Sequence, residues 1–379
     1  MESIVGPHGT VALGGDLGAG GDSAHRGPSR GALAAAAALF GAVAVAGVTW
    51  AKWYPYAGKL GTLWDTRAWS GSSILATGSV RAQSSPSWHS AWSFAVAYGE
   101  DIWVALLAAI VIAAAMEALI PRERVASLLT RRSSMGGTVI AALVAVPAMM
   151  CTCCSAPLTV TLKRNGVPTA STLGFWLGNP VLNPAVLAFL ALAAPWQWVV
   201  TRAIVGVALV LVTPLIASRV VAGSTARAAT AVGMIAPAPL EPFDLKMAPR
   251  RFAAAIGRLG VTLVPEYFAV VLLIGAFRGW LMPLGVDSLH WGFLAVLVAV
   301  VAGVLIVIPT AGEIPILLGL AAVGISPAVL GALLITLPAI SLPSMAMVGR
   351  TLGWRTIAVT AGGVAIFGLV GAGFLAALR

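Results

Sequence analysis

The sequence predicts an all-α polytopic membrane protein of two inverted repeats, with about seven full spans and two re-entrant hairpins built on broken helices. Three observations predict it. The first is composition: 59% of residues are hydrophobic and 9% charged, where soluble domains carry roughly 25% charged residues, and mean hydropathy is +0.95. Apolar stretches of about 20 residues, long enough to cross a bilayer, recur along the chain. They are continuous rather than alternating, which selects helices over a barrel as the way to satisfy the backbone in lipid. The second observation is an internal repeat, and the third is the placement of positive charge.

The net charge of +10 would point to nucleic acid only if the basic residues formed a stripe. Here they fall between apolar segments, where topology accounts for them. The lipid bilayer, not nucleic acid, is therefore the expected macroscopic partner. Three cysteines, odd in number and clustered, do not make a disulfide framework.

Taken in order, residues 1–30 are Gly-rich and carry Glu2, Asp16 and Asp22 where a signal peptide has its basic region. They read as a disordered cytoplasmic tail. A first span is expected over Gly31–Trp50. Residues 51–93 hold Trp53, Trp64, Trp69, Trp88 and Trp92, and Trp favours the membrane interface. The segment is therefore placed on the external surface. A first membrane repeat follows at 94–220, with apolar segments near 94–120, 136–162, 171–194 and 196–220. A basic cytoplasmic linker, 221–255, contains the irregular run APAPLEP. The second repeat, 256–379, has apolar segments near 256–282, 289–322, 327–348 and 352–378.

A shift of 158 residues places Pro157 on Pro315, Gly166 on Gly324, Pro180 on Pro338 and Asn183 on Ser341 without a gap. Helix breakers in register are harder to match by chance than apolar residues. Charge then fixes the topology. With nine full spans and the N-terminus inside, Lys and Arg number 8 inside and 13 outside. If segments 136–162 and 289–322 instead enter and return, the count becomes 16 inside and 5 outside. The positive-inside rule selects seven spans and a cytoplasmic N-terminus, in a multi-pass cell (inner or plasma) membrane protein. The two halves then enter from opposite sides, the plan of many secondary transporters.

The polar residues gather at the breaks. Cys151, Cys153 and Cys154, followed by Ser155, lie between Pro147 and Pro157, each of which disrupts a helix. Irregular backbone at membrane depth survives only inside protein or along a wet cavity. Thiols are soft ligands, although free cysteine also packs as a small hydrophobe. The C-x-x-C spacing is shared with thiol–disulfide enzymes, which set it beside a βαβ pattern not present here. Asn179 and Asn183 each precede a Pro and are four apart, on one helical face. The second break, IPTAGEIP, carries Glu313, costly at that depth without a partner. Glu117 and Glu266 are further acidic residues in apolar segments, with Arg202 and Arg278 as candidate partners. Substrate contact is assigned to Cys151, Cys153, Cys154, Ser155, Asn179, Asn183, Glu313 and Ser341. Coupling is assigned to Glu313, Glu117 and Glu266. No phosphate loop appears, no cofactor or resident metal is expected, and the chain is not read as an enzyme. The sequence admits a homo-oligomer without dictating one.

On the Cys-rich break, the KRNG turn, GNPVLNP and PAISLPSMAMVGRTLG at 338–353, the sequence resembles a predicted-permease family that includes bacterial organoarsenical efflux permeases of the ArsP type. The likeness covers most of 94–355. It implies an inner-membrane permease and efflux of a small-molecule or metalloid substrate such as a trivalent organoarsenical. TAGE stands at the second break, where the family pattern leads one to expect another cysteine. A metal-ion or small sulfur-compound permease, and a membrane thiol–disulfide oxidoreductase, remain the alternatives.

Overall fold

Long apolar runs leave the backbone no partner but itself, and helices result. A computed structural model describes residues 30–69, 85–121, 124, 133–229, 245–281 and 292–378, and no strand occurs among them. Of the tail expected over 1–30, residues 1–29 lie outside the described residues, as does the APAPLEP run, and Arg30 already begins the first helix.

Helix α1 (Arg30–Val48) does not stop at Trp50. It continues through a π-helical turn, Thr49–Trp53, into α2 (Tyr54–Thr66). Pro55 would clash with the carbonyl of Ala51 in a regular helix, and the wider turn just before it relieves that contact. The first span is thus longer than predicted. Lys52, expected on the external surface, is buried at 7% exposure.

Helix α3 (Trp88–Leu119) follows, capped by Ser87, which accepts from Ser90 N. The first short pair is α4 (Ser134–Ala145) and α5 (Thr152–Arg164), interrupted by a 3₁₀ turn at Val146–Ala148 and by Met149 at φ 51°. Then come α6 (Thr169–Val181), α7 (Pro184–Ala193) and α8 (Trp196–Ala229). The second half holds α9 (Ala248–Leu281), the short pair α10 (Phe293–Leu305) and α11 (Glu313–Ala322), then α12 (Pro327–Ala339), α13 (Leu342–Leu352) and α14 (Trp354–Ala377). Helices α8 and α9 therefore reach into both ends of the segment read as a linker.

Among the described residues, six helical stretches are long and apolar enough to cross a membrane, and a seventh is reached if α12 and α13, bent by 48°, count as one. Helices α4, α10 and α11 are apolar but short; at 1.5 Å per residue, 13 residues reach about 20 Å of a roughly 30 Å core. Together with α5 they stand where the sequence places the two broken hairpins. Helix α10 begins at Phe293, so it is shorter than the apolar run from residue 289 suggested.

The helix starts repeat as the breakers do: Thr169 and Pro327, Pro184 and Leu342, and Trp196 and Trp354 are each 158 residues apart. Packing follows the same plan. Helix α4 lies on α6 as α10 lies on α12, while α3 packs on α9 and α8 on α14. Small residues permit the closest approaches, as in membrane bundles generally. A Cβ on Gly331 of α12 would come within 2.3 Å of the Gly371 carbonyl of α14, and one on Gly174 of α6 within 2.8 Å of Thr138.

Candidate functional site

The first hairpin breaks where Pro147 ends α4 and the backbone turns left-handed at Met149. Cys151 then starts α5 as its N-cap, and its carbonyl accepts from Ser155 N at 3.0 Å. Residues three apart share a helix face, so Cys151 Sγ meets Cys154 Sγ at 3.1 Å. Cys153 faces elsewhere, 3.5 Å from Ser341 Oγ and 3.9 Å from Thr152 Oγ1. All three thiols are free and buried. The 3.1 Å contact is between Cys151 and Cys154, with Cys153 also interacting with Cys151, and no group of three His, Cys, Asp or Glu fit for a metal ion occurs among the described residues.

Four breaks meet beside them. Cys151 and Thr152 of the first hairpin face Ile308, Pro309, Thr310 and Glu313 of the second. Pro180 of the first broken span and Leu337, Pro338 and Ser341 of the second complete the wall. The enclosed cavity offers about 10 Å³ to water, room for roughly one molecule. Ser341 caps α13, accepting from the third residue of that helix, and Ser344 returns a bond to the Ser341 N–H at 3.0 Å. Next to this cavity, an apolar groove of about 510 Å³ runs along the first hairpin, bordered by Phe40, Ile112, Trp53, Phe175 and Met150.

Glu313 begins α11, where the helix dipole favours a carboxylate. Arg202 of α8 donates to it from Nη1 at 2.7 Å. The same guanidinium donates from Nη2 to the Pro180 carbonyl at 2.8 Å and from Nε to the Val181 carbonyl at 3.2 Å. It thus occupies the carboxyl end of α6, where a cation is favoured. Both side chains are almost wholly buried. The repeat places Ser155 opposite Glu313 and Thr360 opposite Arg202, and those hydroxyls only bond their own helices, at Thr152 O and Thr356 O.

Of the predicted residues, the structure brings Cys151, Glu313 and Ser341 to the cavity, with Cys154 and Cys153 one contact behind. Ser155 turns back onto α5. Asn183 caps α7, its Oδ1 accepting from Ala185 N and Val186 N. Asn179 Nδ2 donates to Phe175 O within its own helix. Asn179 Oδ1 and Asn183 Nδ2 are buried and have no partner among the described residues. Glu117 and Glu266 lie elsewhere, paired with Arg258 and, at 3.3 Å, with Arg350; both arginines are well exposed. Arg278's side chain is outside the described residues.

Sequence reasoning passed over Lys52, whose Nζ donates to Tyr56 OH at 3.2 Å and to Thr310 Oγ1 at 3.1 Å. A lone Lys at the end of an apolar run, three residues before a Pro, was the available signal. Tyr98 and Tyr267 were passed over as well. Their rings are 6.1 Å apart, and their hydroxyls are buried without partners among the described residues.

Six or seven apolar spans among the described residues, with a small cavity walled by four helix breaks, define a polytopic membrane protein. Residues 87–376 match the family described as predicted permease, ArsP_1, and the chain belongs to it. It is also 36% identical over 339 residues to UPF0718 protein YraQ of Escherichia coli (strain K12), covering 88% of this chain and 92% of that protein. No solved structure matches the chain.

Proposed function

We propose that the chain is a gradient-driven efflux transporter of a soft, thiol-reactive solute such as a trivalent organoarsenical. The observation that carries this reading is the cavity itself: Cys151 on one wall with Cys154 in contact behind it, Glu313 on the other with Arg202 behind it, and four helix breaks meeting around them. In this reading the halves are inverted, the N-terminus is cytoplasmic in the cell membrane, and rocking of one half against the other exposes the cavity to each side in turn. Cys151 and Cys154 each exchange a thiol proton and an As–OH for an As–S bond and water, so two thiols release two waters. The adjacent apolar groove, which reaches Met150, accommodates the organic substituent. Glu313 takes up a proton in one access state, freeing Arg202, and loses it in the other.

The experiment replaces all three cysteines with Ser and follows efflux of methylarsonous acid from vesicles. Loss of transport supports the reading, and unchanged transport removes the thiols from it. A soft metal ion or a small sulfur compound would fit the same two sulfurs. The 3.1 Å contact also favours a second reading, a thiol–disulfide oxidoreductase. That reading predicts a Cys151–Cys154 disulfide that cycles, whereas a transporter keeps reduced thiols that its solute protects from alkylation.

A further inference from the structure

Lys52 lies in the π-helical turn of the first helix, outside the residues that match the permease family. A π turn inserted in an α-helix is frequently a functional feature, and this one touches both hairpins. Trp53 Nε1 donates to the Pro147 carbonyl in the first break at 2.8 Å. Its neighbour Lys52 donates to Thr310 in the second at 3.1 Å. Consecutive residues of one turn therefore span the two breaks that enclose the cavity, and Thr310 is itself part of the cavity wall.

The charges there do not balance. Lys52 bonds only hydroxyls, Tyr56 and Thr310, with its ammonium 5.3 Å from the Tyr56 ring centroid. No carboxylate pairs with it among the described residues. Across the cavity Arg202 and Glu313 neutralise one another. The Lys52 charge therefore faces hydroxyls and thiols rather than a carboxylate, in an apolar interior where an ion without a fixed counter-charge is costly. Cys151 and Cys154 lie within its electrostatic reach.

Resting on the reading of this cavity as the solute site, we propose that Lys52 is a substrate-binding residue and that the solute it receives is a small anion with a soft centre. The thiol pair then recognises softness and Lys52 recognises charge. A neutral thiol-reactive solute such as methylarsonous acid is bound through the thiols alone, and an anionic one gains the second contact.

The test reads the charge at the thiols without any transport. In the Cys153→Ser/Cys154→Ser background, Cys151 is modified with two methanethiosulfonates, one carrying a sulfonate and one a trimethylammonium group. In each reaction the thiolate attacks the reagent's sulfenyl sulfur, a disulfide forms and methanesulfinate leaves. The ratio of anionic to cationic rates is expected to fall by about tenfold or more in Lys52→Met, since a unit charge at this range dominates the local potential. Lys52→Arg should keep the ratio, and so should Thr310→Val, which removes the hydrogen bond but not the charge. An unchanged ratio in Lys52→Met, or equal slowing of both reagents, overturns the proposal. So does failure of both reagents to reach Cys151, because an anion site must open to anions. Transport that survived loss of the thiols would remove the thiols from the transport reading and leave this ratio untouched.

Discussion

Arg202 Nη1 and Glu313 Oε1 stand 2.7 Å apart, yet they come from different halves, and the repeat offers Thr360 and Ser155 in their places. This buried ion pair is therefore also a departure from the internal repeat. It ties the carboxyl end of α6 to the amino end of α11 through a side chain on α8. Duplication supplies two similar cavity walls, and this pair makes them different.

Breaking the pair should be costly. Arg202→Leu leaves Glu313 buried and uncompensated, and Glu313→Gln leaves Arg202 with two carbonyls and an amide. Each should lower stability by about 3–5 kcal/mol, whereas the double substitution should recover most of that loss. Thermal unfolding of the purified protein in detergent, arranged as a double-mutant cycle, measures the coupling directly. Additive losses would show that the two charges do not depend on one another.

The other acidic residues should behave differently. Glu117 and Glu266 pair with Arg258 and Arg350, whose side chains are 42% and 68% exposed. Solvent-screened pairs contribute about 0–1 kcal/mol. Glu117→Gln and Glu266→Gln should therefore cost no more than about 1 kcal/mol and leave the dependence of transport on a pH gradient intact. Glu313→Gln should abolish that dependence. Proton-gradient-driven flux in vesicles compares the three, and loss of coupling in Glu117→Gln would move the proton site away from the cavity.

The thiols should also divide. Cys151 and Cys154 touch at 3.1 Å, while Cys153 is turned to Ser341. A soft centre held by two sulfurs loses one bond in Cys151→Ser or Cys154→Ser, so efflux of methylarsonous acid should fall at least about tenfold, or about 1.4 kcal/mol. Cys153→Ser should retain most of the flux, because Ser can still bond Ser341. Equal losses at all three positions would mean that the whole cluster moves to bind.

Much of this was legible in the sequence, and the reason differs from place to place. Continuous apolar runs and prolines in register announced the spans and the breaks, since both signals act through local backbone chemistry. Cys151 beside Glu313 followed from the repeat. The Arg202–Glu313 pairing could be suspected from the scarcity of charges but not assigned, because Arg202 lies 111 residues from Glu313. Asn179 and Asn183 share a sequence motif but not a role: capping α7 consumes Asn183 Oδ1, and Asn179 bonds its own helix. Lys52 was hidden because a basic residue beside Trp53 ordinarily marks an interface. Only the π turn, a three-dimensional accommodation of Pro55, aims it inward.

The final prediction concerns the orientation of the halves. The turn after α5, with Arg164 exposed, and the turn after α11, with Val323 58% exposed, occupy equivalent places under the repeat. A duplication in parallel would put them on the same face of the membrane, and an inverted one on opposite faces. The balance of Lys and Arg along the sequence is the ground for expecting inversion, and burying Lys52 takes one charge from the side expected to be poorer in them. In a background with Ser at 151, 153 and 154, Arg164→Cys should react with an impermeant maleimide from the cytoplasmic side alone. Val323→Cys should react from the exterior alone. Labelling of both from one side would leave no mirror relation between the hairpins, and alternating access across their shared cavity would have no structural basis.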